Sequence, residues 1–354
     1  MSDGNKPILV LGTLGYNTNK LDGQTVKTRN IVALLKQKYS GQINVIDTLE
    51  AKKNIIKSII QLLINLVRCK TVIIVPASHS FNTILPHLYR LSKVLRYEII
   101  LLCVGGWQIE FFNGGGRYKP HPYHFKICKK IKAFMPEIEK VTKELIEDYN
   151  FENCETFPNF RLIEPLIANN VTHSNHDQLK LVFMARVNKL KGYDLIFSLA
   201  DFIRDQGLNI HIDFYGPINA EDKDDFLTKI QLHSDITSYK GVVQPENINT
   251  TLVGYDLLLL PTRYYTEGVP GTLLDAYAAR VPVVVTNWKH AKEVVIDGTS
   301  GIIIDFDNPE EELKNTIIQL YNNRDFLNKL RLGTELGLEP YSSETAWNKL
   351  KKYL

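Results

Sequence analysis

The sequence lacks most of the features that identify a function on their own. Its four cysteines, Cys69, Cys103, Cys128 and Cys154, are widely spaced with no CxxC pair. That spacing argues against a disulfide framework and against a structural zinc site, and it fits reduced thiols in a cytoplasm. Charge of one sign is not in excess: 42 Lys and Arg face 39 Asp and Glu, a formal net charge of +3. A balance this even does not mark a nucleic-acid binder, so no nucleic-acid partner is expected. No apolar run reaches the roughly 18 residues that span a bilayer. The start, MSDGNKPILVLG, has no basic stretch followed by a long apolar one, so it reads as a first strand and not as a signal peptide. No strand runs into G-x-G-x-x-G with a ribose-binding acid beyond it, which disfavours a nicotinamide dehydrogenase. His79, His121 and His124 have no acidic or cysteine partners at ligand spacing, so neither a metal nor any other cofactor is expected. Repeats and low-complexity segments are absent as well.

What the sequence does have is ordinary globular composition, 44% hydrophobic and 23% charged over 354 residues, more chain than one core usually serves. Short β-branched runs alternate with helix-period segments: Pro7 to Leu11, Ile43 to Asp47, Thr71 to Pro76 and Glu98 to Val104. This alternation predicts a parallel sheet wrapped by helices. Between them, the apolar stretch Asn54 to Val67 carries Lys57, Gln61 and Asn65 at i, i+4 and i+8. One polar stripe predicts a helix packed on the sheet. The pattern pauses over the polar, Asn-rich segment from Asn150 to Gln178, where the interdomain connection is placed. A second series follows at Lys180 to Ala185, Ile210 to Tyr215, Asp256 to Pro261, Val281 to Thr286 and Gly301 to Asp305. The expectation is an α/β chain of two Rossmann-like halves: residues 1–165, residues 166–340, and a terminal helix over 341–354 that packs back on the first half. Sheets of this kind bind ligands beyond the carboxyl ends of their strands, which predicts a cleft between facing strand ends.

Two stretches carry chemistry. In LLLLPTRYYTEGVPGTLLDAYAARVPVVVT, Leu257 to Thr286, a buried strand enters a Pro/Gly loop and a helix opens near Gly271 and Thr272. Free amides at such a helix start suit a phosphate. Glu267 precedes this helix and Asp275 is placed about two turns inside it. A carboxylate accepts two hydrogen bonds at once and so suits paired sugar or ribose hydroxyls. In LVFMARVNKLKGYDLIFSLADF, Arg186 ends a strand and Lys191 sits just before a helix. Two fixed cations there can neutralise a diphosphate and the charge developing on a leaving group, with no metal required.

These residues resemble the retaining glycosyltransferases of the GT-B fold, in particular the large family 4. The resemblance covers most of the chain and is strongest from Lys180 to Asp305. The family pattern R-x-x-x-x-K-G is matched by Arg186, Lys191 and Gly192, and E-G-x-P with a second acid by Glu267, Gly268, Pro270 and Asp275, the last an Asp where the family has Glu. The resemblance implies two Rossmann-like domains facing each other across a donor and acceptor cleft. It implies that Arg186 and Lys191 hold the donor diphosphate, Glu267 the transferred sugar and Asp275 the ribose. Amides at Thr272 and Leu273 would meet the phosphates and those of Val269 and Gly271 the sugar, with Gly23 and Gly216 also on the donor side. Where many members have a histidine after the fourth strand, this chain has Gly105 in LLCVGGWQIEFF. Gly105 and Gly106 would leave room for an acceptor ring, with Trp107 as a stacking surface.

The implied activity is transfer of a sugar from a nucleotide-sugar, a UDP-sugar favoured, to a saccharide or lipid-linked saccharide in bacterial surface-polysaccharide assembly. Two alternatives stay open: a sugar-nucleotide-binding partner subunit without activity, and another enzyme of the same fold, such as an epimerase or a phosphorylase. Finally, Arg117, Lys119, Lys126, Lys129, Lys130, Lys132, Lys140 and Lys143 are interleaved with Tyr118, Phe125, Ile127, Ile131 and Phe134. Such a stretch reads either as a basic, aromatic surface that rests on anionic lipid at the inner face of a membrane, or as a solvated helical face.

Overall fold

Runs of valine, isoleucine and leucine with no polar alternation can be buried only if both faces of a strand are covered, which is the situation inside a parallel sheet. In the computed structural model, which describes residues 7–17, 22–76, 78–114, 122–162 and 178–354, such runs form two separate all-parallel sheets. The chain divides into one unit of Met1–Leu162 with Tyr341–Leu354 and a second of Ile163–Pro340. The sequence-predicted junction at 165/166 lies outside the described residues.

The first unit runs β1 (Ile8–Gly12), α1 (Gly23–Lys38), β2 (Ile43–Asp47), α2 (Ile55–Arg68), β3 (Thr71–Val75), α3 (Ser78–Leu95), β4 (Glu98–Leu102), α4 (Gln108–Phe112), α5 (Pro122–Cys128), β5 (Ala133–Met135) and α6 (Glu139–Glu147). Its sheet order is β2-β1-β3-β4-β5. The helix α14 (Ser343–Leu350) belongs to the same unit. Its Ala346 and Leu350 are buried in the core beside Ile31 and Leu35 of α1, and Trp347 is half-buried against it. Glu155 holds this end of the chain through Lys352 Nζ at 2.6 Å and Tyr353 Oη at 2.8 Å. Phe151, Phe157 and Phe160 are likewise buried. The first part of the predicted interdomain connection is thus core of the first unit, because aromatics in a polar stretch still find apolar cover.

The second unit runs β6 (Leu179–Met184), α7 (Tyr193–Asp205), β7 (Ile210–Tyr215), α8 (Lys223–Leu232), β8 (Thr237–Tyr239), α9 (Ile248–Leu252), β9 (Leu257–Leu260), α10 (Gly271–Ala278), β10 (Val283–Thr286), α11 (Ala291–Val294), β11 (Gly301–Ile304), α12 (Pro309–Asn322) and α13 (Arg324–Leu338). Its sheet order is β11-β10-β9-β6-β7-β8. The strand order reverses at β6, with β7 on one side and β9 on the other, the topological position at which α/β sheets place ligands.

One surface expectation is overturned and another is narrowed. The apolar side of α2 does not pack on the sheet: Leu66 is its one buried residue, while Ile55, Ile56, Ile59, Ile60, Leu63, Ile64 and Val67 are exposed. Periodicity shows that an apolar stripe exists, not which way it faces. The basic stretch also differs from an aromatic surface. Ile127, Ile131 and Phe134 are buried, Lys129 lies over the Phe125 and Phe151 rings, and Lys132 and Lys143 pair with Glu98 and Glu139. Ile127, Ile131 and Phe134 thus serve the core and belong to no surface, while Lys126, Lys130, Lys140 and Lys143 are exposed; Arg117, Tyr118 and Lys119 lie outside the described residues.

Candidate active site

The site residues of the second unit cluster where β6, β7 and β9 end. After β6 the chain makes a short 3₁₀ turn over Lys189–Lys191, capped by Asn188, whose Oδ1 accepts from Lys191 N at 2.9 Å. Gly192 follows with φ +80°, and a Cβ there would stand 2.0 Å from the Pro261 carbonyl oxygen. Only glycine lets this loop lie on the chain leaving β9. The contact is stitched on both sides: Thr262 Oγ1 donates to Leu190 O at 3.1 Å, and Arg263 N donates to the same carbonyl at 2.8 Å. Thr286 Oγ1 of β10 in turn donates to Thr262 O.

This scaffold brings two of the predicted residues together. The Lys191 ammonium forms an ion pair with the Glu267 carboxylate, with both side chains partly buried. The loop that presents Glu267 is closed by Glu267 N donating to Tyr264 O at 3.1 Å. Arg186 stands nearby in sequence at the end of β6, exposed and making no side-chain hydrogen bond or ion pair with the described residues. Gly216, past the end of β7, has φ +129°, and its Cβ would meet Ala185 O at 1.9 Å. Gly192 and Gly216 therefore clamp the backbone on either side of Arg186.

The loop runs on through buried Gly268, Val269 and Pro270 into α10. Pro270 occupies the N-cap position and offers no capping side chain, so the first amides of α10, from Gly271 and Thr272, stand at an uncapped positive helix end. Leu273 N turns back to Pro270 O at 3.1 Å. Thr272 Oγ1 is buried without a hydrogen-bond partner, an arrangement that folded proteins rarely leave unless something else satisfies it. Asp275 is the fifth residue of α10, so it lies about one turn inside and not two, because the helix starts directly after Pro270. It shares a face with Thr272, three positions earlier, and is 5% exposed.

On the first unit, Gly23 opens α1 behind Asp22, whose Oδ1 accepts from Thr25 N at 2.9 Å. A Cβ at Gly23 would meet nothing within 4 Å. Gly105 has φ +79°, a conformation that a histidine adopts only with strain, which is a physical reason for glycine at this point. Gly106 beside it is buried. Trp107 is half-buried. Its Nε1 donates to Val104 O at 2.7 Å, and its ring meets Phe81 and Phe111 edge to face. His124 is also a core group: its ring stacks on Phe81 and its Nε2 lies 3.0 Å from Asn82 O. His121 lies outside the described residues, as does the side chain of His79. Among the described residues no cluster of His, Cys, Asp and Glu could hold a metal ion, and no helix is long and apolar enough to cross a membrane.

Sequence reasoning missed a buried ion pair beneath the Gly105 turn. Lys27 of α1, fully buried, donates to Glu137 Oε2 at 2.9 Å and to Cys103 O at 2.8 Å. Glu137 Oε2 also accepts from Gly105 N at 3.3 Å. The signal was present: Lys27 falls in phase with Ile31 and Leu34 on the inward side of α1. A separate pocket of about 340 Å³, lined by Lys180, His211, Asp213, Lys240 and Tyr255 among others, opens on the sheet toward the strand starts, away from Arg186 and Glu267. There burial pushes the Asp213 carboxyl up, but hydrogen bonds from His211 and Tyr255 outweigh it and leave it below the usual range.

Residues 168–334 match the family described as Glycosyl transferases group 1. The capsular polysaccharide biosynthesis glycosyltransferase CapM of Staphylococcus aureus is 23% identical over 179 residues, which are 50% of this chain and 46% of CapM. The chain thus spans about half the length of this curated relative. Among solved structures, Anabaena HepE in complex with UDP-glucose superposes with a TM-score of 0.70 at 12% identity, covering 98% of this chain and 99% of HepE. S. aureus TarM, in a complex that includes UDP, superposes with a TM-score of 0.63 at 19% identity, covering 80% of this chain and 55% of TarM. At these identities the likeness is one of fold, and the fold is that of the GT-B glycosyltransferases, two Rossmann-like α/β units.

Proposed function

We propose that the chain is a glycosyltransferase that moves a sugar from a nucleoside-diphosphate sugar, with UDP favoured as the carrier, to a saccharide or lipid-linked saccharide acceptor in surface-polysaccharide assembly. The observation that carries this reading is the meeting of Lys191 and Glu267 at the strand ends, beside exposed Arg186 and the uncapped start of α10. The donor diphosphate would take the place of Glu267 as the partner of Lys191, with Arg186 as the second cation. Both would stabilise the charge that develops as the sugar departs. Glu267, released from Lys191, would accept from the sugar hydroxyls. The Thr272 hydroxyl, now without a partner, and the first amides of α10 would receive phosphate oxygens, and Asp275 the ribose.

No metal is needed in this scheme, since two side-chain cations supply the charge. Transfer with retention is the expected stereochemistry: the acceptor adds on the face the diphosphate leaves, and the leaving phosphate oxygen takes the acceptor proton. Gly105 then removes no required base. The nucleotide in the HepE and TarM complexes and the biosynthetic role in CapM's name support the donor and the pathway. A lipid-linked acceptor would bring the chain to the cytoplasmic face of a membrane.

Thermal unfolding with UDP, GDP, ADP or CDP, with and without EDTA, tests the site. A nucleotide at about a hundred times its Kd adds roughly 2.7 kcal/mol. Stabilisation by one nucleotide, unchanged by EDTA and abolished in Arg186→Ala and Glu267→Ala, is the expected result. No shift with any of the four, or a shift that needs a divalent ion, overturns the reading.

A further inference from the structure

The helix α2 presents to solvent what a globular protein normally hides. Ile56 is 75% exposed, Val67 66%, Ile55 63% and Ile60 54%, with Ile59, Ile64 and Leu63 between 42% and 50%. At 100° per residue these seven side chains sweep about half the circumference of the helix. The resulting patch is larger than the few hundred Å² that soluble monomers usually expose, and patches of that size mark an interaction surface. We infer that α2 is a monotopic membrane-docking helix that lies in the plane of an anionic lipid surface with this arc inserted among the acyl chains.

Two observations select lipid over a protein partner. The first is the width of the arc: a partner helix covers a narrow seam of about two positions in seven, whereas a plane covers half a cylinder. The second is charge. The segment 51–70 contains Lys52, Lys53, Lys57, Arg68 and Lys70 and no carboxylate; Lys53 pairs with Glu50 just before it, which leaves the other four to carry the segment's positive charge. Lys57 and Arg68, both exposed, stand just past one border of the arc, where their stems reach headgroup phosphates while the isoleucines sit deeper. Leu62, half-buried, lies past the other border and buried Leu66 just inside it, between Ile55 and Ile59; these two fix that edge of the helix to the first unit. At 14 residues α2 is too short to span a bilayer, so it lies flat. This surface rests on the proposed function for its purpose, a lipid-linked acceptor, but its test needs no donor.

The test is flotation of the purified full chain with vesicles of phosphatidylcholine alone and of phosphatidylcholine mixed with phosphatidylglycerol, for the wild type and for Ile56→Glu/Ile60→Glu. The wild type is expected to float with the anionic vesicles and much less with the neutral ones. Each substitution is expected to lower the partition coefficient about tenfold or more, from the lost burial of one isoleucine. The substituted side chains are exposed, so the melting temperature and the nucleotide-induced shift of the variant should equal those of the wild type. No flotation of the wild type, or equal flotation of wild type and variant, overturns the inference. A lipid-free dimer of the wild type that the variant dissolves, read by sedimentation equilibrium, also overturns it, in favour of a second copy on α2. Flotation that depends on α2, with no nucleotide shift in either protein, leaves the inference standing and removes the donor assignment instead.

Discussion

Gly23, Gly105 and Gly216 of the donor and acceptor sides, with Gly192 of the lysine motif, can be separated into three classes by one substitution, alanine, because the structure surrounds them differently. At Gly192 the added Cβ meets a carbonyl oxygen at 2.0 Å and the backbone is left-handed. The conformation costs an L-residue about 1–2 kcal/mol, and the forced displacement adds about 1–3 kcal/mol. Gly216 meets a carbonyl at 1.9 Å and belongs in the same range. At Gly105 the nearest atom, Trp107 Cδ1, is at an ordinary 3.4 Å, so only the conformational cost of about 1–2 kcal/mol applies. Gly23 opens a helix into empty space, where alanine is neutral or stabilising by a few tenths of a kcal/mol. In domains of this size about 1 kcal/mol moves Tm by roughly 2–4 °C. Differential scanning calorimetry should therefore order the variants Gly23→Ala, Gly105→Ala, then Gly192→Ala and Gly216→Ala, the last two lower by roughly 5–15 °C. If Gly23 lies against the donor as the family resemblance implies, its variant loses nucleotide affinity at unchanged Tm. A Gly192→Ala protein with wild-type Tm and nucleotide shift would refute the argument that this glycine holds Lys191 in place.

Two further outcomes follow from buried groups. Lys27→Met leaves the Glu137 carboxylate, almost fully buried, without its cation and should lower stability by about 3–5 kcal/mol. Lys27→Met/Glu137→Leu should recover much of that loss in urea titrations, and a double variant no better than the single would show that the pair is not the cause. Burial pushes the Cys69 thiol to about 11 and the Cys154 thiol to about 12, and raises Cys103 and Cys128 well above the ordinary range. All four should therefore react slowly with a thiolate-directed reagent at neutral pH and fully in denaturant; a fast native thiol would contradict this.

The parts of the fold that were legible in the sequence are those where one physical signal dominates. β2 and β7 have the limits read from their apolar runs; in β7 the polar His211 and Asp213 alternate with Ile210, Ile212 and Phe214 at the period of a strand. β5 and β8 were not read. Each has three residues and lies at a sheet edge, too short for any period to show. Arg186, Lys191 and Glu267 were legible because their spacing is part of a motif. The groups that place them were not: the Thr262 stitch and the clash that makes Gly192 obligatory are contacts between segments about 70 residues apart, and the Asn188 cap, though local, serves a single short turn with no period to show it. The inward Lys27 and the outward isoleucines of α2 share one cause. A helical period gives two faces, and what lies opposite decides which is buried.

Because α14 belongs to the first unit, the second unit is an insertion within the first, and this sets an order of events during synthesis. When Leu162 has left the ribosome, the core that Ala346 and Leu350 complete still lacks them. Residues 163–340 must be made first, which takes roughly 10–35 s at ordinary elongation rates. Throughout that interval the side of α1 that α14 later covers is open to solvent and to chaperones. The inserted unit, whose sheet draws on no residue outside it, can meanwhile fold. The half of the molecule that begins first is therefore the half that finishes last.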